Sequence, residues 1–167
     1  TIGEIVVKGS IVTKLYFNRP RETALSKIQE GETIWHRMGD VGYFDSQGRL
    51  WFCGRKAHRV IAYQKTLFTI PCEAIFNQHG AVFRSALVGV GKKPVIIIEL
   101  KDKTLLNHPE KLLILKEELL KLGRTSPLTQ DINDLLFHPA FPVDIRHNSK
   151  IKREELARWA RAQWTGE

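Results

Sequence analysis

The stretch Met38-Gly39-Asp40-Val41-Gly42-Tyr43-Phe44-Asp45, continued by Gly48-Arg49-Leu50 and Gly54-Arg55-Lys56, decides how the chain is read. Residues 41–44 and 49–53 are short apolar runs on either side of Asp45-Ser46-Gln47-Gly48. That is a hairpin signal, with the aspartate supplying local hydrogen bonds and the glycine a positive φ. Glycines at 39 and 42 flank Asp40, letting the backbone bend and present a carboxylate. An ionised carboxylate accepts two hydrogen bonds at once, which suits the paired hydroxyls of a ribose; charge-assisted bonds of this kind contribute roughly 1.5–3 kcal/mol. Alone, the spacing fits an aspartate that merely organises a turn at least as well.

Upstream of this stretch, residues 3–8 read as an Ile/Val-rich strand, Asn18-Arg19-Pro20 opens a helix to residue 28, and 33–37 is strand-like. Downstream, residues 59–62 and 67–70 are expected as strands, and Pro71 opens a helix to 77 with Glu73 near its start. Strands follow at 82–88 and 94–101, the latter holding the longest apolar run, Pro94-Val95-Ile96-Ile97-Ile98, as a buried strand. Residues 109–122 carry Leu112, Leu113, Leu115, Leu119 and Leu120 at helical spacing. A helix capped by Ser126 with Pro127, a strand at 141–145 and a final helix at 151–164 complete the expectation. The fold class is α+β. A β-rich piece with a hairpin, residues 1–54, is too small to close a good core, and 55–167 form a small domain with a central sheet flanked by helices.

The 167 residues carry a net charge of +8. Residues 1–53 contribute +1 of this and the remainder +7. A basic balance suggests a nucleic-acid partner. The cations are interspersed with hydrophobes and acids, and no RNA or DNA motif is visible, so no nucleic-acid partner is expected. No apolar run approaches the roughly 18 residues of a transmembrane helix, and the start TIGEIVVKG has neither the basic nor the apolar part of a signal peptide. Thr1 falls inside a strand pattern and the only methionine is Met38, so the chain is expected to be a segment of a longer protein. Cys53 and Cys72 have neither disulfide nor zinc spacing and read as buried reduced thiols of a cytoplasmic protein. Metal-ligand spacing is absent from the six histidines, though His36, His58 and His147 lie near the motifs. Trp51, Phe52, Trp159 and Trp164 suit a core or an interface better than a base-stacking platform. There is no Walker-type lysine loop and no Gly-x-Ser-x-Gly nucleophile.

One further polar run draws attention: His147-Asn148-Ser149-Lys150-Ile151-Lys152-Arg153-Glu154-Glu155-Leu156. It reads as a loop presenting Lys150 just before an amphipathic helix. A lysine there is a mobile point charge within reach of a phosphate or carboxylate; by itself it reads more simply as a solvated side chain.

Taken together, these motifs resemble the C-terminal part of the adenylate-forming ligases, which include acyl-CoA synthetases, luciferases and peptide-synthetase adenylation domains. Gly3-Glu4-Ile5 with 16–23, Met38-Gly39-Asp40 with Gly42-Tyr43, Gly54-Arg55-Lys56, Pro71-Cys72-Glu73-Ala74-Ile75, and Ser149-Lys150-Ile151 with Arg153 and Leu156 match the family's motifs in order along essentially the whole chain. The resemblance implies that residues 1–54 end the large N-terminal adenylation domain and 55–167 form its mobile C-terminal domain, with Lys56 and Ala57 at the hinge. Asp40 would hold the ribose hydroxyls, Arg55 would approach the ribose and α-phosphate, and Lys150 would be the catalytic lysine bridging substrate carboxylate and α-phosphate. ATP and Mg²⁺ would be the cofactors and a carboxylic acid the small-molecule substrate, with no metal ligand in this segment. The partner would be the rest of the N-terminal domain. Without the upstream phosphate loop and adenine pocket, the isolated chain is expected to be inactive.

Three departures resemble one subgroup. Met38 stands where Ser or Thr is usual, Ala57 where the hinge usually has Asp or Lys, and Ile61-Ala62-Tyr63-Gln64-Lys65-Thr66-Leu67 lacks the glycine that lies close to pantetheine. With Trp35-His36-Arg37, Phe141-Pro142-Val143-Asp144 and Arg146-His147-Asn148-Ser149-Lys150, these are similar to the β-lactone synthetases of bacterial olefin biosynthesis. That implies activation of a β-hydroxy acid, fatty or otherwise, as an acyl-adenylate with release of pyrophosphate, and closure by its own hydroxyl; coenzyme A is left open. The alternatives are an acyl-CoA synthetase forming a fatty acyl thioester, a basic non-catalytic binding module, and an interaction module that kept the fold without the chemistry.

Overall fold

Residues 1–63, 65–144 and 146–163 are described by a computed structural model, in which the chain divides into two compact units, Thr1–Ala57 and the part beginning at His58. The fold is mixed α+β. None of the helices among the described residues is long and apolar enough to cross a membrane.

The first unit contains β1 (Gly3–Val7), α1 (Pro20–Ser26), β2 (Lys27–Glu30), β3 (Thr33–Phe44) and β4 (Leu50–Arg55). All pairings are antiparallel, and β3 is the spine. β1 pairs with β3 from His36 to Gly42, whereas β2 takes Thr33 to His36 and β4 takes Asp40 to Phe44. A strand has only two edges, so β2 and β4 follow one another along the edge opposite β1. Two expectations are corrected here. The separate strands 33–37 and 41–44 are one strand of 12 residues, because pairing on both edges carries the ladder past Gly39 despite its φ of +68°. The helix expected to reach residue 28 stops at Ser26, since Lys27 and Ile28 are pulled into the ladder opposite His36 and Trp35. The hairpin turn forms as expected: Asp45 Oδ1 accepts from the amides of Gln47 and Arg49, both at 2.9 Å, and Gly48 has φ +75°. At Gly42 a Cβ would lie 2.5 Å from the Trp51 carbonyl oxygen, so only glycine fits there.

In the second unit, β5 (Val60–Ala62) and β6 (Lys65–Leu67) form a small hairpin before α2 (Thr69–Phe76). Next come β7 (Val82–Val90), β8 (Lys93–Leu100), α3 (Pro109–Arg124), β9 (Asp134–Phe137), β10 (Val143–Asp144), β11 (His147–Ile151) and α4 (Arg153–Gln163). β7 and β8 are antiparallel neighbours, and β9 lies parallel to β8 on its other edge. The apolar run in β8 is explained by burial on both faces. Ile96 and Ile98 pack with Leu87, Phe76, Leu115 and Leu119, which places α2 and α3 on one face. Val95 and Ile97 pack with Ala86, Val88, Phe141, Leu156 and Ala160, which places α4 on the other. Each fully buried Ile or Leu of this kind contributes about 1.5–3 kcal/mol.

Several boundaries differ from expectation. β6 ends at Leu67, and the helix starts at Thr69 with Pro71 inside its first turn. Of the α3 leucines, Leu115 and Leu119 are buried while Leu113 is exposed. No helix follows Ser126: its Oγ accepts from the Leu128 amide and its carbonyl from Thr129 and Gln130, making turns that lead to the unexpected strand β9. The polar run at 147–151 is a strand, because backbone pairing with β10 orders it where composition suggests a loop. The last helix therefore begins at Arg153, with Ile151 in β11. Ile145 and Trp164 lie outside the described residues. Both cysteines are buried and unpaired to one another. Trp51 and Phe52 are each 48% exposed within the first unit, and Trp159 packs beside the α4 core cluster.

Candidate active site

In the first unit, the β3–β4 ladder sets Asp40 directly opposite Arg55. Arg55 Nη1 donates to Asp40 Oδ1 at 2.9 Å and to the Met38 carbonyl at 3.0 Å. The left-handed Gly39 lies between these two acceptors, and a Cβ there would come within 3.9 Å of the same Nη1. The guanidinium is about half exposed, at 53%, and the carboxylate more sheltered, at 22%. The pair presents an anionic acceptor beside a planar cation, the two groups that a ribose and a phosphate require.

Beside it lies a cluster built on Glu4 of β1. Glu4 Oε2 accepts from Arg37 Nε at 3.1 Å and from Lys56 Nζ at 2.7 Å, and Arg37 Nη2 donates to the same oxygen. These bonds, from Arg37 first and Lys56 second, hold the Glu4 carboxyl below its ordinary range against the opposing effect of burial. Lys56 is thereby tied to β1, while Ala57 follows it in a single 3-10 turn, Lys56–His58.

Lys150 belongs to the second unit, on β11, with its side chain exposed. β10 and β11 pair through Val143 with Ile151 and Asp144 with His147, and the Lys152 amide donates to the Pro142 carbonyl at 2.9 Å. Arg153, the first residue of α4, forks onto Glu73 with Nη1–Oε1 at 2.5 Å and Nη2–Oε2 at 2.9 Å. Glu73 Oε1 also accepts from the Leu87 amide at 2.7 Å. Burial pushes the Glu73 carboxyl above its ordinary range, and Arg153 and the Leu87 amide pull it back. A second buried carboxylate, Glu99 of β8, accepts from Arg84 Nε at 2.6 Å and from the Phe141 amide at 3.0 Å. Burial raises its pKa, but the Phe141 amide, Arg84 and Lys103 together bring it below the ordinary value. At the β5–β6 turn Tyr63 is exposed and adopts φ +34°, a left-handed backbone in a non-glycine residue.

The structure thus brings Asp40 and Arg55 together and ties Lys56 to their sheet; Lys150 stands on a separate hairpin. Among the other candidates, His58 Nε2 lies 3.7 Å from Glu154 at the start of α4, and His36 Nδ1 lies 3.2 Å from the Ser26 carbonyl. The pairing of Glu73 with Arg153 and the role of Glu99 are not foreseen from the sequence. A lone glutamate ending the apolar run of β8 is the signal that would have found Glu99, since carboxylates are almost never buried without partners. Among the described residues no three His, Cys, Asp or Glu side chains gather to hold a metal ion.

Comparison with known proteins shows that the chain is a region of an adenylate-forming ligase of the ANL superfamily. It is 48% identical to an olefin beta-lactone synthetase of Stenotrophomonas maltophilia and 47% identical to that of Xanthomonas campestris, in each case over 97% of this chain. The chain spans 30% of the length of each of these relatives. Among solved structures it is similar to the O-succinylbenzoate coenzyme A synthetase of Bacillus subtilis in complex with AMP, with TM-score 0.76 and 26% identity, covering 93% of this chain and 30% of that one. No family model matches the chain.

Proposed function

We propose that this chain is the C-terminal part of an ATP-dependent ligase that activates a β-hydroxy carboxylic acid and closes it to a β-lactone. Residues 1–54 would end the large domain and 55–167 form the mobile one, with Lys56 and Ala57 at the hinge. The observation that carries the reading is the Asp40–Arg55 pair, in a chain 48% identical to an olefin beta-lactone synthetase. In the first step a substrate carboxylate oxygen attacks the α-phosphorus of ATP, the bond to pyrophosphate breaks and the acyl-adenylate forms. Asp40 accepts from the ribose hydroxyls, with Arg55 fixing its rotamer and lying beside the α-phosphate. Lys150 offsets the charge that develops between carboxylate and phosphate. In the second step the β-hydroxyl oxygen attacks the acyl carbon, the bond to AMP breaks and the hydroxyl proton is released. Mg²⁺ would arrive with the triphosphate and shield its charge.

Support for closure without coenzyme A comes from the β5–β6 turn. It has no glycine and carries an exposed tyrosine on left-handed backbone where a close approach would need a bare main chain. The test is to give the full-length protein ATP, Mg²⁺ and a 3-hydroxy fatty acid, with and without coenzyme A, and to weigh the products. Loss of water from the acid with AMP formed, independent of coenzyme A, is the expected result. A coenzyme A adduct would move the protein to the acyl-CoA synthetases. The 167-residue chain alone should turn over no ATP, and turnover by it would contradict this account.

A further inference from the structure

Two buried carboxylates meet the two ends of the hairpin that carries Lys150. At the entry, Glu99 of β8 accepts the Phe141 amide at 3.0 Å, two residues before β10. At the exit, Glu73 of α2 grips both terminal nitrogens of Arg153, two residues after β11. The stem between them is closed by the Lys152 amide on the Pro142 carbonyl. Glu73 and Glu99 are 5% and 3% exposed, and each is fixed to the central sheet, Glu73 through the Leu87 amide of β7 and Glu99 by its place in β8. The hairpin itself is short: β10 has only two residues, Val143 and Ile151 at its base pack against the second core cluster, and the Lys150 side chain is exposed.

We infer that Glu73 and Glu99 are positioning residues, which brace the two ends of the β10–β11 hairpin against the central sheet and so fix where Lys150 stands. The brace is a property of the fold; only its consequence for rate rests on the role of Lys150 proposed above. The electrostatics favour such a device. A bidentate Arg–carboxylate pair withdrawn from water fixes direction as well as distance, and a carboxylate bound to a backbone amide fixes the main chain itself. Replacing such a buried pair by apolar side chains is often neutral for stability, so geometry is the better account of why ions stand here.

The test compares Glu99→Gln and Arg153→Lys in the full-length protein by two readouts. Hydrogen exchange at the β10 and β11 ladder amides should accelerate tenfold or more, with the β7–β8 amides unchanged. The kcat for acyl-adenylate formation should fall about 100-fold, the scale of a 1 Å misplacement, with KM for ATP little altered. The Glu73→Leu/Arg153→Met double variant, apolar on both sides, supplies a folded protein should a single change unfold it, and should show the same two effects. Unchanged exchange at the ladder overturns the brace, whatever the activity does. Faster exchange with an unchanged kcat, where Lys150→Ala is itself inactive, overturns positioning. Faster exchange with neither these variants nor Lys150→Ala affecting adenylation upholds the brace and removes the proposed role of Lys150 instead.

Discussion

Arg55 reaches across one rung of the β3–β4 ladder to donate to Asp40 at 2.9 Å, and the same nitrogen holds the Met38 carbonyl. The guanidinium therefore sets both the carboxylate and the backbone that precedes it. If Asp40 receives the ribose hydroxyls, Asp40→Asn should raise KM for ATP by about tenfold or more, the equivalent of one charge-assisted hydrogen bond. Arg55→Ala should raise it as well, and the double variant should lose clearly less than the sum of the two, because each acts through the other. Initial-rate kinetics with ATP varied in the full-length protein make the comparison; additive losses would separate the two residues.

Lys150 is exposed on β11 and lies outside both core clusters. Lys150→Ala should leave the melting temperature unchanged while slowing acyl-adenylate formation by about 10²–10³-fold. Thermal melting measures the first and pyrophosphate release the second. A stable, fully active variant would remove Lys150 from the mechanism.

At the hairpin turn, Asp45 accepts from the Trp51 indole at 2.8 Å and from the Arg49 and Gln47 amides, and with the indole bond the largest influence its pKa falls from 3.8 to about 2. A depressed folded pKa means that the aspartate stabilises the hairpin above the unfolded pKa and loses that contribution as pH falls through the folded one. The turn should hold at pH 4 and loosen on acidification toward pH 2. The Trp51 indole proton resonance, followed by NMR, should shift with a midpoint near pH 2; a midpoint near 3.8 would show that the bond is not maintained in solution.

Gly123, near the end of α3, has no room for a side chain: a Cβ would lie 2.9 Å from Phe76 Cζ, and that ring is fully buried. Alanine gains about 1 kcal/mol of helix propensity over glycine, whereas overpacking costs about 1–3 kcal/mol. Gly123→Ala should therefore destabilise the protein by about 1 kcal/mol in urea unfolding. Gly80→Ala, with nothing within 4 Å, should change stability by less than about 0.5 kcal/mol. A stabilised Gly123→Ala would mean that Phe76 yields easily.

Much of the fold could be read from local pattern. The Asp45 turn, the buried run of β8 and the leucine face of α3 depend on residues near in sequence, and each formed close to where composition put it. What escaped depended on distant partners. β2 is a strand because β3 lies alongside it, and β9 because it adds to β8; β11 is ordered by β10 despite its polar sequence. Within the candidate site, Asp40, Arg55 and Lys150 stood out through motif order. That Arg55 bonds Asp40, or that Arg153 spans 80 positions to Glu73, is set by tertiary pairing that no local window contains.

The parallel strand β9 joins β8 only through α3, whereas β7 and β8 are joined by a tight turn at Gly91. The assembly order of the second unit follows from this. The β7–β8 hairpin closes a short loop and forms early, while β9 waits until α3 has docked and the ends of a long crossover meet. Leu135, buried where β9 meets the core, should on this order join after the rate-limiting step. Leu135→Ala should therefore speed unfolding while leaving the refolding rate nearly as it was.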